Sequence, residues 1–368
     1  LLIGPRQTGK STFIRQLKPD LEINLARQLV YLDFLSNPGL LESEVHSRVA
    51  SGERLSVFID EVQRLPSLLN TVQSLIDENP KLRFYLTSSS ARKLKRGNAN
   101  LLPGRIVSYE MRPLSIEELG DQFDLKKALI RGLLPGIYLD SSDVVWRKVL
   151  RTYAVTYLQE EVQAEALTRN LEGFSRFFSV VASRNAELFD IAKFSSEAQI
   201  ERTTAKRYFE ILEYTLILNR IEAFAKSTRR RIIQHPRFYF FDVGALNGSL
   251  GNFNVSDDRK GKLLENLVLQ LLLSSFKGQD RQVRVSHYRT DAGAEVDFIV
   301  QTESKVFAIE VKSARAVAQS ELSGLKSFAG FYDKPHRAMV LCLAERQQLV
   351  DGIEIWPLKE GILQITKR

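Results

Sequence analysis

Apolar and polar positions follow two rhythms along this chain, and the rhythm changes twice. In the first hundred residues, short apolar runs rich in β-branched and aromatic side chains stand between polar stretches. Leu1-Leu2-Ile3, Leu29-Val30-Tyr31-Leu32-Asp33, Leu55-Ser56-Val57-Phe58-Ile59-Asp60 and Arg83-Phe84-Tyr85-Leu86-Thr87 have this form. Near-continuous apolar runs of this kind predict buried strands of a parallel sheet. A helix is predicted over 67–77, and Ile106-Val107-Ser108-Tyr109-Glu110 is a further strand. In the middle third the period lengthens to that of a helix, over 146–165, 174–182 and 188–194. After a turn at 200–203, Thr203 or Thr204 caps a longer helix carrying Ala205, Tyr208, Phe209, Leu212 and Leu216. Ile217 to Ile221 then steps into a strand. The last third predicts strands at Phe238–Asp242, Glu295–Val300 and Phe307–Lys312, with an amphipathic helix over 262–273.

Two of the early strands end in residues that carry chemistry. The first runs straight into Gly4-Pro5-Arg6-Gln7-Thr8-Gly9-Lys10-Ser11-Thr12, which contains Gly-x-x-x-x-Gly-Lys-Ser. Between a strand and a helix this is a phosphate-binding loop. Gly4 and Gly9 let the backbone wrap around phosphates, with N–H groups pointing inward at a helix N-terminus. Lys10 reaches the terminal phosphates, and the Ser11 hydroxyl is placed to ligate Mg²⁺. The strand ending at Asp60-Glu61 supplies the partner motif. Asp60 is suited to hold Mg²⁺ through water and Glu61 to activate the attacking water. A polar residue in Ser88-Ser89-Ser90, after the next strand, can touch that water or the terminal phosphate. ATP and Mg²⁺ are therefore the expected ligands.

Composition narrows the class. At 368 residues, 44% hydrophobic and 26% charged, the chain is long enough for two or three globular domains. A lone Cys342 excludes a disulfide framework and a cysteine-based zinc site, as expected of a cytoplasmic protein. The four histidines show no ligand spacing. The longest apolar stretch, Leu263 to Leu273, is interrupted by Glu265, Asn266 and Gln270, so no membrane span is expected. Because the first residues already lie in a strand of the nucleotide-binding fold, the natural chain is expected to begin somewhat earlier.

A net charge of +8 points to an anionic partner. Three middle helices followed by a basic hairpin make a winged helix-turn-helix pattern. Lys206 and Arg207 start its last helix, and Arg229, Arg230 and Arg231 suit phosphate contacts in the wing. The same pattern also serves domain packing alone, so DNA contact and packing both stay open. In the last third, Glu310 and Lys312 share one strand face. If the preceding strand pairs as a hairpin, Asp297 joins them. Two carboxylates can then hold Mg²⁺ while the lysine steadies developing phosphate charge.

The Asp297, Glu310-Val311-Lys312 array resembles the PD-(D/E)xK nucleases, with Glu265 matching the acid on their preceding helix. The early motifs resemble the AAA+ ATPases, whose sensor position falls on Ser89. A closer likeness is to a prokaryotic AAA+ family with Gly-Pro-Arg-Gln-x-Gly-Lys-Ser/Thr and Asp-Glu-x-Gln-x-x-Pro, here Asp60-Glu61-Val62-Gln63-Arg64-Leu65-Pro66. Its sensor reads Thr-Gly-Ser-Ser, against Thr87-Ser88-Ser89-Ser90 here. A Gly-Arg of that family matches Gly104-Arg105, making Arg105 either an arginine finger toward a neighbouring subunit or a surface arginine. Its C-terminal domain of unknown function carries Tyr-Phe-x-Asp-x-Gly, Glu-Asn-x-Val, Glu-Val-Asp-Phe and Glu-Val-Lys. These stand here at Tyr239–Gly244, Glu265–Val268, Glu295–Phe298 and Glu310–Lys312.

The resemblance implies an α/β chain in three parts. An AAA+ P-loop parallel sheet occupies 1–125, and a helical, winged-helix region 126–235. A C-terminal α/β domain of restriction-endonuclease type follows over 236–368. For function, the two motif sets and the basic charge leave two classes: an ATPase acting on DNA with a metal-dependent nuclease domain, or one whose nuclease-like domain is a non-cleaving platform for DNA or protein. A homo-oligomer is a further expected partner.

Overall fold

Five parallel strands in the order β2-β3-β4-β1-β5 organise the first part of the chain. They are β1 (Leu2–Ile3), β2 (Leu21–Asn24), β3 (Leu55–Asp60), β4 (Leu82–Ser88) and β5 (Tyr109–Glu110). Helices α1 (Lys10–Gln16), α2 (Gln28–Ser36), α3 (Leu40–His46) and α4 (Leu68–Glu78) connect them. The computed structural model describes residues 1–49, 54–90, 106–142, 145–153, 171–224 and 235–367. These divide into two compact units, 1–111 with 214–216, and 112–213 with 217–368. Arg105, Gly104, Arg229, Arg230, Arg231 and the expected helix beyond 153 lie outside the described residues.

Val57, Phe58 and Ile59 are all fully buried, as a parallel strand covered on both faces requires. Register aligns Leu2 with Thr87, and Ile59 with Leu86. The ends of β3 and β4 thus lie level with the loop that leaves β1. One expectation is corrected here. Leu29–Asp33 is not a strand but part of α2, and the second strand is Leu21–Asn24. Leu29, Leu32 and Leu35 are exposed, and Phe34 is the buried residue of α2. The run has the composition of a buried strand, but Leu29, Leu32 and Asp33 face outward.

In the second unit come the short helices α5 (Ile116–Leu119), α6 (Leu125–Arg131), α7 (Pro135–Tyr138) and α8 (Trp146–Thr152). Then follow α9 (Leu171–Ser183), α10 (Ile191–Glu197) and α11 (Arg202–Tyr214). Asp190 caps α10 through the N–H groups of Ala192 and Lys193. Because α11 already begins at Arg202, Thr203 and Thr204 lie in its first turn rather than at its cap. The strands β6 (Leu218–Ala223) and β7 (Arg237–Phe240) pair antiparallel after it.

Those two strands form one edge of a mixed sheet of eight, ordered β12-β13-β11-β10-β9-β8-β6-β7. The others are β8 (Arg284–Arg289), β9 (Glu295–Gln301), β10 (Val306–Val311), β11 (Arg337–Cys342), β12 (Gln348–Val350) and β13 (Ile353–Pro357). The boundary expected at 235 therefore falls between two paired strands. Helices α12 (Val243–Leu250), α13 (Asp257–Gly278), α14 (Ser323–Phe331) and α15 (Leu358–Thr366) complete the unit. One apolar core runs from Ile116 through Phe177, Tyr208 and Leu267 to Ile365.

The run Tyr239-Phe240-Phe241-Asp242-Val243-Gly244 fastens this unit together. Fully buried Asp242 accepts from the N–H of Leu133 at 2.7 Å, that of Ala245 at 2.9 Å and Gln270 Nε2 at 2.8 Å. Gly244 lies so close to α6 that a Cβ would stand 2.0 Å from the Arg131 carbonyl oxygen. Asn266, the residue after Glu265, donates to the Phe240 carbonyl at 3.0 Å.

Candidate functional site

The loop from β1 to α1 is shaped by two glycines for different reasons. Gly9 has φ +94°, a left-handed conformation that glycine adopts without steric cost. Gly4 instead answers to packing, since a Cβ there would meet the Met111 carbonyl oxygen at 2.2 Å. Thr8 Oγ1 donates to the Pro5 carbonyl at 2.8 Å, tightening the turn. Lys10 Nζ reaches back over the loop to the carbonyls of Gly4 and Pro5, each at 2.8 Å. Its ammonium is thus buried against the loop rather than extended into solvent. Arg6 and Ser11 are half-buried, while Gln7 and Thr12 are exposed.

Asp60 ends β3 almost fully buried. Its Oδ1 accepts from Ser11 Oγ at 2.7 Å and Thr87 Oγ1 at 2.5 Å, and Oδ2 lies 3.9 Å from Arg15 Nη2. Glu61 follows in the left-handed region, φ 60° and ψ 45°. A non-glycine residue held there stores ~1–3 kcal/mol of strain, a cost met mainly at functional sites. Its N–H donates to Thr87 Oγ1 at 3.0 Å, and its carboxylate accepts from Ser89 Oγ at 2.8 Å and from Gln63 Nε2. Gln63 also donates to Ser89 Oγ at 2.8 Å. The fold thus brings Lys10, Ser11, Asp60, Glu61 and Ser89 to one end of the sheet, where open α/β sheets bind ligands. A hydroxyl and a carboxylate in mutual contact form the all-oxygen donor set that a hard divalent cation takes.

Sequence reasoning missed Thr87 and Gln63. Thr87 ties Asp60 to Glu61, and Gln63 ties Glu61 to Ser89. The signal for Gln63 was its place in Asp60-Glu61-Val62-Gln63; for Thr87 it was only a hydroxyl at a strand end.

A second polar cluster sits in the eight-stranded sheet. Strands β9 and β10 pair from Gln301 with Val306 to Phe298 with Ile309. Beyond that pair a side chain replaces the backbone partner, and Asp297 Oδ2 accepts the Val311 N–H at 2.9 Å. Glu310 Oε1 accepts from Lys312 Nζ at 3.0 Å, while its buried Oε2 finds no hydrogen-bond partner among the described residues. Glu265 comes in from α13 and accepts from the Tyr239 hydroxyl and from Arg237 Nη1, the latter at 3.2 Å. Arg237 also pairs with Glu295 and stands 3.6 Å from Asp297 Oδ1. The expected residues Glu265, Asp297, Glu310 and Lys312 do come together. Tyr239 and Glu295, quoted only as motif positions, join them, as does Arg237, which the sequence reading did not single out.

Four carboxylates, Glu265, Glu295, Asp297 and Glu310, here face three cations, Arg237, Lys312 and Arg289, the last 3.4 Å from Glu295. Burial first, and the Asp297 charge second, push Glu265 and Glu310 each up to about 8. Burial also raises Asp297, against the pull of the Val311 N–H and Arg237. Lys312 is shifted upward: burial works against its charge, but Glu310, Asp297 and Glu321 together outweigh that. Among the described residues no three His, Cys, Asp or Glu side chains are grouped to hold a metal ion. The Arg237 guanidinium stands 3.2 Å from Glu265 Oε1 and 3.6 Å from Asp297 Oδ1, among the residues Glu265, Asp297 and Glu310 expected to hold a metal.

Lys206 and Arg207 are exposed near the start of α11, well placed for an outside partner. Among the described residues, no helix is long and apolar enough to cross a membrane.

Comparisons with known proteins match three stretches of the chain. Residues 1–120 match the AAA domain, 122–256 a domain of unknown function (DUF8612), and 260–361 another (DUF4143). An uncharacterized protein of Mycobacterium tuberculosis is 26% identical over 338 residues, covering 88% of this chain and 73% of the relative. One of Haemophilus influenzae is 20% identical over 395 residues, covering 99% and 94%. Among solved structures, a Walker-type ATPase of Pyrococcus abyssi aligns with TM-score 0.44 at 13% identity. It covers 67% of this chain and 89% of that one. The matching domain and the loop geometry make the N-terminal unit an AAA-type ATPase domain.

Proposed function

We propose that this chain hydrolyses ATP with Mg²⁺ and acts on DNA, its C-terminal carboxylate cluster belonging to a binding platform rather than a cleaving centre. The hydrolytic part rests on one observation: Glu61, in a left-handed backbone conformation, is hydrogen-bonded to Ser89 beside the Ser11–Asp60–Thr87 contact. In this reading Lys10 leaves the Gly4 and Pro5 carbonyls for the β- and γ-phosphates. Ser11 and Asp60 would hold Mg²⁺, which when bound neutralises charge on the phosphates. Glu61 orients a water and takes its proton as the water oxygen adds to the γ-phosphorus. The bond to the bridging oxygen breaks, giving ADP and phosphate. Ser89 fixes the Glu61 carboxylate, and Arg105 would reach the nucleotide of a neighbouring copy in a homo-oligomer.

The platform reading is favoured by Arg237, which already compensates Glu265, Glu295 and Asp297. DNA contact is assigned to Lys206 and Arg207, and to Arg229, Arg230 and Arg231 of the wing. A metal-dependent nuclease is the second reading, favoured by the approach of Glu265, Asp297, Glu310 and Lys312. Incubation of single- and double-stranded DNA with the full chain and Mg²⁺ or Mn²⁺ separates the two. The platform reading expects intact DNA. Cleavage abolished by Lys312→Ala would overturn it. For the ATPase, Lys10→Ala is expected to lower ATP affinity in a binding titration; unchanged affinity would remove Lys10 from the site.

A further inference from the structure

Away from both clusters, the second unit carries a basic groove. A cleft of about 880 Å³ lies between α6, α8 and the loop from α12 to α13, within the size range of ligand sites. A second cleft of about 490 Å³ adjoins it, and the two share Lys126, Ile130 and Arg147 as lining residues. Their cations are Lys126, Arg147, Arg151 and Lys260, continued by Lys127 and Arg131. The acids among the lining residues are Asp124 and Asp257. Asp124 is engaged in capping α6, accepting the Lys127 N–H at 2.8 Å.

Half-buried Phe253 gives the groove an aromatic surface. Its ring is set edge-on against Trp146 at 5.1 Å, with the Arg147 and Arg151 guanidinium groups 5.9 and 5.6 Å from its centroid. The loop bearing it is held in place. Arg259 donates to the carbonyls of Asn252 and Asn254, at 3.2 and 2.5 Å, and to Asn247 Oδ1 at 2.9 Å. Asn247 in turn donates to the Leu129 and Ile130 carbonyls of α6, at 2.9 and 3.1 Å. A fixed aromatic ring among cations strung along two clefts matches a chain of phosphates with stacking bases. A single nucleotide would use only part of that charge, and a duplex would meet only the rim.

We propose that this groove binds single-stranded nucleic acid, with Lys126, Arg147, Arg151 and Lys260 on the phosphates and Phe253 against a base. The proposal rests on the reading that the chain acts on nucleic acid. Fluorescence anisotropy of the full chain with a labelled oligothymidylate, across a salt series, tests it. Arg147→Glu with Arg151→Glu is expected to weaken binding at least ~10-fold and to flatten the logarithmic salt slope by ~1.4, at about 0.7 per lost contact. Phe253→Ala is expected to weaken binding by about tenfold with less change of slope. The double variant should melt like the parent, since Arg147 and Arg151 are exposed; because Phe253 packs against Trp146, Phe253→Leu, which keeps apolar volume without a ring, separates lost stacking from lost stability and should also weaken binding. Binding by the parent with no loss in the double variant would place the strand elsewhere and sink this groove alone. No binding of the oligothymidylate by the parent at low salt would sink the groove proposal, and failure to bind a duplex as well would sink the nucleic-acid reading itself. Polyglutamate bound as tightly, through the same arginines, would make the groove a site for acidic polypeptide and overturn the proposal.

Discussion

Arg237 decides the state of the carboxylate cluster, because its guanidinium is the cation Glu265, Glu295 and Asp297 share. Removing one partner from a buried charge cluster leaves the rest uncompensated, at a cost of ~3–5 kcal/mol. Arg237→Ala should therefore shift urea unfolding markedly; an unchanged midpoint would mean that Arg237 does not compensate these acids. The same cluster sets a pH dependence. A glutamate ordinarily titrates near 4.5, whereas folded Glu265 and Glu310 keep their protons to about 8. Between these limits the folded chain binds more protons than the unfolded one, so their contribution to stability falls as pH rises through that window. Glu310→Gln, which cannot ionise, should reduce the fall seen in melting temperature; an equal fall would contradict the assignment. The acids and Lys312 were legible in the sequence because each stands in a recognisable motif. Arg237 was not, since its role comes from an edge strand placed beside two others by long-range folding.

At the level of elements, the strands carrying Asp60, Asp297 and Glu310 were legible from their apolar runs. The helix over 28–36 was not. Its Leu29, Val30, Tyr31 and Leu32 imitate a strand locally, and only the pairing of Leu21–Asn24 with β3 decides between them. The Tyr239–Gly244 run was legible as a motif, but its work is structural. Asp242 satisfies three buried donors, so Asp242→Ala should cost about 3 kcal/mol or more in equilibrium unfolding, at roughly 1.5–3 per bond to a charged group. A negligible loss would show that these donors find other partners. Gly244→Ala should also destabilise, as its methyl carbon would overlap the Arg131 carbonyl oxygen. On α11, Lys206→Glu with Arg207→Glu is expected to weaken duplex DNA binding and leave melting unchanged. Unaltered duplex affinity would leave these helices to packing alone.

Across the whole chain, the parallel sheet with its phosphate loop and acidic strand end was legible because local motif and strand order agree. The second unit was less so, because its middle helices and last strands share a core that no single stretch encodes. Relatives such as that of Haemophilus influenzae match nearly the full length, so the succession of parts recurs in one chain. The arrangement around Glu61 predicts ATP turnover at the N-terminal sheet. Single-turnover hydrolysis of ATP with Mg²⁺, comparing the parent with Glu61→Gln, tests it most directly. The variant should bind ATP like the parent and hydrolyse it ~100-fold or more slowly, the loss expected on removing a general base. Hydrolysis by Glu61→Gln at the parent rate would contradict the account.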